Sequence, residues 1–242
     1  MNVKSPFVLA GLLMGLLPFS QASVNDVPSS NISWDMNVTQ VAVGESAGLL
    51  YLNSNGDLFG AFQNSNGILG TGDTLYRQAG ALVARDVKTV KVGNGSTAFL
   101  KNDGSLWAMG RNDNGPTFGS SFPHPILSPV NIAEQVQDFA VNTGHILFVK
   151  TDGSLWGIGD GYELGLGESV PVDIATKIVD SGVSRVSTES WHTLFVKTDG
   201  SLWGMGQSRY GKLGNGQGGY NNHDEKTPRQ IVSSGVVEAS AG

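Results

Sequence analysis

The chain has 242 residues, 34 of them glycine and none cysteine, with 39% hydrophobic residues and a formal net charge of −6. The hydrophobic share, together with 5 Trp and 10 Phe, supports a packed core and speaks against disorder. Lack of cysteine excludes disulfides, thiol nucleophiles, iron–sulfur clusters and Cys-based zinc sites, and an acidic chain lacks the basic footprint of a nucleic-acid binder.

Residues 1–22 read as a secretory signal peptide. Lys4 supplies the positive start, Phe7 to Phe19 the apolar stretch, and Ser20-Gln21-Ala22 the small–x–small cleavage signature. The 13 apolar-stretch residues are too few to cross a bilayer of about 30 Å as a helix. A secreted or periplasmic protein is expected, with no stable membrane insertion after cleavage. Residues 23–38 form a lead-in segment.

From residue 39 onward one unit recurs. Thr97–Gly110 (TAFLKNDGSLWAMG), Ile146–Gly159 (ILFVKTDGSLWGIG) and Thr193–Gly206 (TLFVKTDGSLWGMG) align almost residue for residue, and Leu49–Phe62 (LLYLNSNGDLFGAF) is a weaker first copy. The glycines Gly56, Gly104, Gly153 and Gly200 lie 48, 49 and 47 residues apart. Each follows a short apolar run and precedes another, and Asp-Gly between such runs predicts a hairpin with a type I′ turn. The return strand alternates large and missing side chains, as in Trp203-Gly204-Met205-Gly206, so one face is left open to close packing.

A Gly-rich loop follows each hairpin and ends in Leu69-Gly70, Phe118-Gly119, Leu164-Gly165 or Leu213-Gly214. Short runs then appear at Pro129–Ile132 and Arg229–Val232, and others at Val87–Val92, Val136–Val141 and Val183–Ser187. Four short strands per unit of about 48 residues is the arithmetic of a propeller blade. The predicted fold is all-β: a β-propeller-type array of about four four-stranded blades (39–87, 88–135, 136–182, 183–235) plus the start of a fifth at 236–242. No helix is expected, because no 3.6-residue apolar period is sustained after the signal.

The unit Gly-x-x-His-Thr-Leu-Phe-x-Lys-x-Asp-Gly-Ser-Leu-Trp-Gly-x-Gly followed by x-Leu-Gly-x-Gly resembles the regulator of chromosome condensation (RCC1) repeat, in particular a bacterial exported form. The resemblance covers about residues 39–242 and is sharpest in the third and fourth copies, around His145 and Trp191-His192-Thr193. In the first copy Gly48 and Phe59 take the places of the histidine and tryptophan. The resemblance implies a propeller, typically of seven blades, so the four copies here read as an incomplete, apparently truncated array. The member that names the family promotes nucleotide exchange on a small GTPase at chromatin, a role that an acidic exported chain does not match.

Candidate sites are few. His145 and His192 hold equivalent repeat positions and read as structural residues between blades, as do Trp107, Trp156 and Trp203 for packing and Gly56, Gly104, Gly153 and Gly200 for turning. Asp103, Asp152 and Asp199 are explained by their place before turn glycines. His124 and His223 sit in polar loops, and no spacing supports a metal site. Asn112-Asp113-Asn114-Gly115 lacks the acidic rhythm and closing Glu of a calcium loop. Trp191 departs from the repeat, where its counterparts are Ala47, Gly95 and Gly144, and so reads as a partner contact together with Tyr220 and His223 on a variable loop.

No catalytic residue, cofactor or metal is predicted. The expected function is that of an exported, non-enzymatic propeller module. It would bind an unknown protein or cell-surface partner through its inter-repeat loops, with self-association through an open propeller edge as a further possibility. Alternatives are a secreted enzyme inhibitor of propeller type, an enzyme, or a guanine-nucleotide exchange factor.

Overall fold

The structure, a computed structural model, describes residues 37–44, 48–112, 118–119, 121–142, 144–167, 171–189, 191–216 and 224–242. Of two compact units, 1–37 and Val38–Gly242, the first lies outside the described residues except for Asn37, and so does the signal segment. The described residues of the second unit carry sixteen strands in four antiparallel meanders.

Blade 1 comprises β1 (Val38–Val43), β2 (Gly48–Asn53), β3 (Leu58–Phe62) and β4 (Arg77–Ala84). Blade 2 comprises β5 (Val87–Val92), β6 (Ser96–Lys101), β7 (Leu106–Gly110) and β8 (Ile126–Ala133). Blade 3 comprises β9 (Val136–Val141), β10 (His145–Lys150), β11 (Leu155–Gly159) and β12 (Val172–Val179). Blade 4 comprises β13 (Val183–Glu189), β14 (His192–Lys197), β15 (Leu202–Gly206) and β16 (Glu225–Val232). The helical element among the described residues is a 3-10 turn at Arg209–Gly211.

The hairpins differ from the type I′ expectation. In blade 4 the Gly200 N–H donates to the Lys197 carbonyl (2.9 Å) and the Lys197 N–H to the Ser201 carbonyl (2.9 Å), so three residues form the loop. Gly200 has φ +78°, whereas Asp199 is not among the residues of positive φ. This is a tight turn followed by one left-handed residue, the G1-bulge hairpin, in which glycine alone needs the left-handed region. The other hairpins repeat it, with φ of +80°, +85° and +79° at Gly56, Gly104 and Gly153.

Neighbouring blades lock through the loop that ends in Leu-Gly. Leu164 folds over Gly157 of its own blade, where a Cβ would stand 2.5 Å from Leu164 Cδ2, while Gly165 receives Met205 of the next blade. Leu69 covers Gly60 in the same way, and Gly70 receives Met109. Met109 and Met205 are both fully buried. The glycine on the return strand thus admits the blade's own loop, and the glycine after Leu admits the following blade.

Inner strands are also tied by side chains at one repeat position. Gln40 Nε2 donates to the Val90 carbonyl (2.7 Å) and its Oε1 accepts the Val90 N–H (3.1 Å). One blade pair later, Asp138 accepts the Val186 N–H (2.9 Å) and pairs with Lys91 (3.2 Å). Residues 236–242 continue the pattern without forming a regular strand. Val236 N–H donates to the Gly200 carbonyl (2.9 Å), as Val87, Val136 and Val183 do to Gly56, Gly104 and Gly153, and Ala241 N–H donates to Ser187 Oγ (3.0 Å). The array is four blades of an incomplete propeller that does not close.

Candidate functional site

Meander topology sorts the connections onto two ends of every blade. One end holds the G1 hairpins and the short links into the next blade. The other holds the turn between first and second strands and the long loop between third and fourth.

The hairpin end is held by a repeated relay. In blade 4, Ser201 N–H and Oγ–H both donate to Asp199 Oδ1 (2.9 and 2.6 Å), and Trp203 Nε1 donates to Ser201 Oγ (2.9 Å). The Lys197 ammonium lies 4.4 Å from the centre of the Trp203 ring. Blades 2 and 3 repeat this with Asp103, Ser105, Trp107 and Lys101, and with Asp152, Ser154, Trp156 and Lys150. Hydrogen bonds from the serine side chain and then its backbone hold the three carboxyls below the usual carboxylate range. All three aspartates are consumed by the turn, each accepting from the serine two residues on.

At the long-loop end, His145 and His192 are both buried. His145 bridges blades 3 and 4: Nδ1 meets the carboxylate of Glu163, and Nε2 lies 2.6 Å from Thr188 Oγ1, which in turn donates to the His192 carbonyl (3.0 Å). At the Glu163 position blade 4 has Lys212. Burial, then the Lys212 charge, push the His192 imidazole below its ordinary 6.5, and its Nδ1 lacks a well-formed hydrogen bond. The two histidines share a repeat position but face opposite charges.

The long loops rest on two asparagines, Asn64 and Asn112, whose residue type alone does not mark them as structural. Asn64, fully buried, accepts the Leu69 N–H on Oδ1 (3.0 Å) and donates to the Asp73 carbonyl (2.7 Å). Asn112 does the same for Phe118 (3.0 Å) and the Gly119 carbonyl (3.1 Å), so its side chain is spent on the loop. Their shared distance from the strand end was the available signal.

Trp191 stands at the turn between β13 and β14 and is 55% exposed. Its carbonyl accepts the Gln207 N–H (2.8 Å), which fixes this turn to the long loop carrying Tyr210, 70% exposed. Tyr220 and His223 lie outside the described residues. Among the described residues no group of three His, Cys, Asp or Glu comes together as for a metal.

A family model of the Regulator of chromosome condensation (RCC1) repeat matches residues 199–242, and another of the same description matches residues 87–115. The fold is that of human WBSCR16 (TM-score 0.71, 19% identity, 83% of this chain and 54% of that one). It is also that of Prp20p, the RCC1 of Saccharomyces cerevisiae (TM-score 0.67, 21% identity, 86% and 52%). The chain is an RCC1-like repeat protein. The RCC1 fold recurs in yeast RCC1 (Prp20) bound to Kap60 (TM-score 0.68, 19% identity, 82% and 49%). This RCC1-like chain spans about half the length of these solved structures. No curated protein shows significant similarity to the sequence.

Proposed function

We propose that the protein is an exported, non-enzymatic propeller module that holds a protein partner on its long-loop end, with Trp191 as the anchor. Exposure of Trp191 carries the reading. The repeat needs no large side chain at that position, and a half-exposed indole on a turn fixed to a rigid sheet contributes contact area at low entropy cost. Prp20p was crystallised in a study of its binding to Gsp1p and histones, which supports protein binding as a use of this fold. Export rests on residues 1–22 and is read out by intact mass: loss of that segment from the processed protein supports it, and its retention contradicts it.

The binding test uses a photo-reactive phenylalanine analogue placed at Trp191 or, separately, at Lys150 on the hairpin end. A discrete cross-linked protein partner from residue 191 alone supports the reading. Cross-linking from residue 150 alone, or from neither, overturns it.

A further inference from the structure

The first blade breaks the hairpin relay, and a small cavity sits where it breaks. Where blades 2 to 4 have Lys101, Lys150 and Lys197 over a tryptophan, blade 1 has Asn53, and its ring is Phe59, stacked on Tyr51 at 5.3 Å. Asn53 Oδ1 accepts two backbone N–H groups, from Asn55 (3.0 Å) and Asp57 (2.9 Å). That double acceptance sets the orientation of the amide, so the NH2 group points away from the turn. Asn53 is only 7% exposed, its Nδ2 has no acceptor among the described residues, and it lines a cavity of about 270 Å³ between the hairpin ends of blades 1 and 2.

Leu52 and Val87, both buried, also line this cavity, as do the exposed Lys88 and Asn102 from blade 2. The lining contains no acidic residue. The Asn53 amide donor, held in place by the turn, opens into the cavity and is free to donate to a ligand there. A lysine at the mouth adds positive charge. The volume lies below the roughly 300–1,000 Å³ of drug-sized sites and leaves room for a small acid.

We propose that this cavity binds a carboxylate: an oxygen accepts from Asn53 Nδ2, the Lys88 ammonium pairs with the charge, and the short aliphatic stem lies against Leu52 and Val87. The site is at the opposite end of the blades from Trp191 and stands independently of the partner docking proposed there. The carboxylate belongs either to a free small acid or to a glutamate of a peptide, and the test separates the two.

The full chain, labelled with 15N, is titrated with N-acetylglutamate, with a blocked glutamate-containing peptide, and with N-acetylglutamine as neutral control. The expected result is a saturable shift of the Asn53 side-chain amide with one or both acids and none with the control. Response to the free acid alone identifies a small-molecule site, and response to the peptide alone an acidic-peptide site. Asn53→Asp keeps the turn acceptor and replaces the donor by an anion, so it weakens binding about tenfold or more. Lys88→Gln, at an exposed position, weakens it in the same direction should Asn53→Asp fail to fold. An unmoved Asn53 amide, an equal response to N-acetylglutamine, or full affinity in Lys88→Gln overturns the proposal.

Discussion

Met205 of the fourth blade occupies the space that a side chain would need at Gly165 of the third: a Cβ there would stand 2.5 Å from Met205 Sδ. The same relation joins Met109 to Gly70 across blades 1 and 2. Stacking of blade 1 on blade 2 and of blade 3 on blade 4 therefore depends on two complementary requirements, a methionine on the return strand and a bare backbone in the loop before it.

Substitution at Gly165 tests this. Its φ of +68° makes Gly165→Ala strained by about 1 kcal/mol, and the collision with Met205 adds overpacking of about 1–3 kcal/mol. Gly214 has the equivalent place in blade 4, a φ of +63° and no atom within 4 Å, so Gly214→Ala carries the strain alone. Urea unfolding should show the larger loss at Gly165.

The charge reversal beside the two repeat histidines predicts acid sensitivity. His192 has a depressed pKa in the folded chain, chiefly from burial and then from Lys212, while in the unfolded chain it returns to about 6.5. The unfolded state therefore binds the proton more readily. The neutral imidazole's contribution is full above pH 6.5 and is lost as pH falls from 6.5 toward the folded value. Lys212→Glu gives His192 the kind of partner that His145 has in Glu163, and it should flatten the stability profile below about pH 6.5. An unchanged slope would remove Lys212 from the explanation.

The hairpin relay makes a smaller prediction. Ser201→Ala removes the acceptor of Trp203 Nε1 and one donor to Asp199 in a half-exposed setting. A loss of about 0.5–1.5 kcal/mol is expected in thermal or urea unfolding. A null effect would mean that water replaces the serine hydroxyl without cost.

Trp191→Ala should leave stability within about 0.5 kcal/mol of the parent, because the side chain is largely outside the packed sheets. Trp203→Ala, whose indole packs beside the core of blades 3 and 4, should instead destabilise by a few kcal/mol, about 2–4.

Much of the fold was legible in the repeated residues. The Val87–Val92 and Val136–Val141 runs are β5 and β9 with the same ends, because these inner strands alternate clearly and their ends are marked by turn residues. The outer strands run longer than their apolar runs: Pro129–Ile132 is part of an eight-residue strand from Ile126, and Arg229–Val232 part of one from Glu225. One face of these strands meets solvent, so charged residues and proline fill it and dilute the apolar pattern. The hairpin type differs from the type I′ expectation because Asp-Gly satisfies both a two-residue turn and a three-residue loop, and only the Lys197 N–H pairing with Ser201 tells them apart. The loop asparagines and the Lys212 reversal were hidden for another reason: each acts through a contact with backbone or with a neighbouring blade, which spacing along one strand does not encode.

Hydrogen exchange on the protein with its cross-linked partner tests the docking reading most directly. Protection should rise in the segments around Trp191 and residues 206–216, with the hairpins at 101–105, 150–154 and 197–201 unchanged. Protection confined to those hairpins, with the Trp191 segment exchanging as in the free chain, would contradict the account.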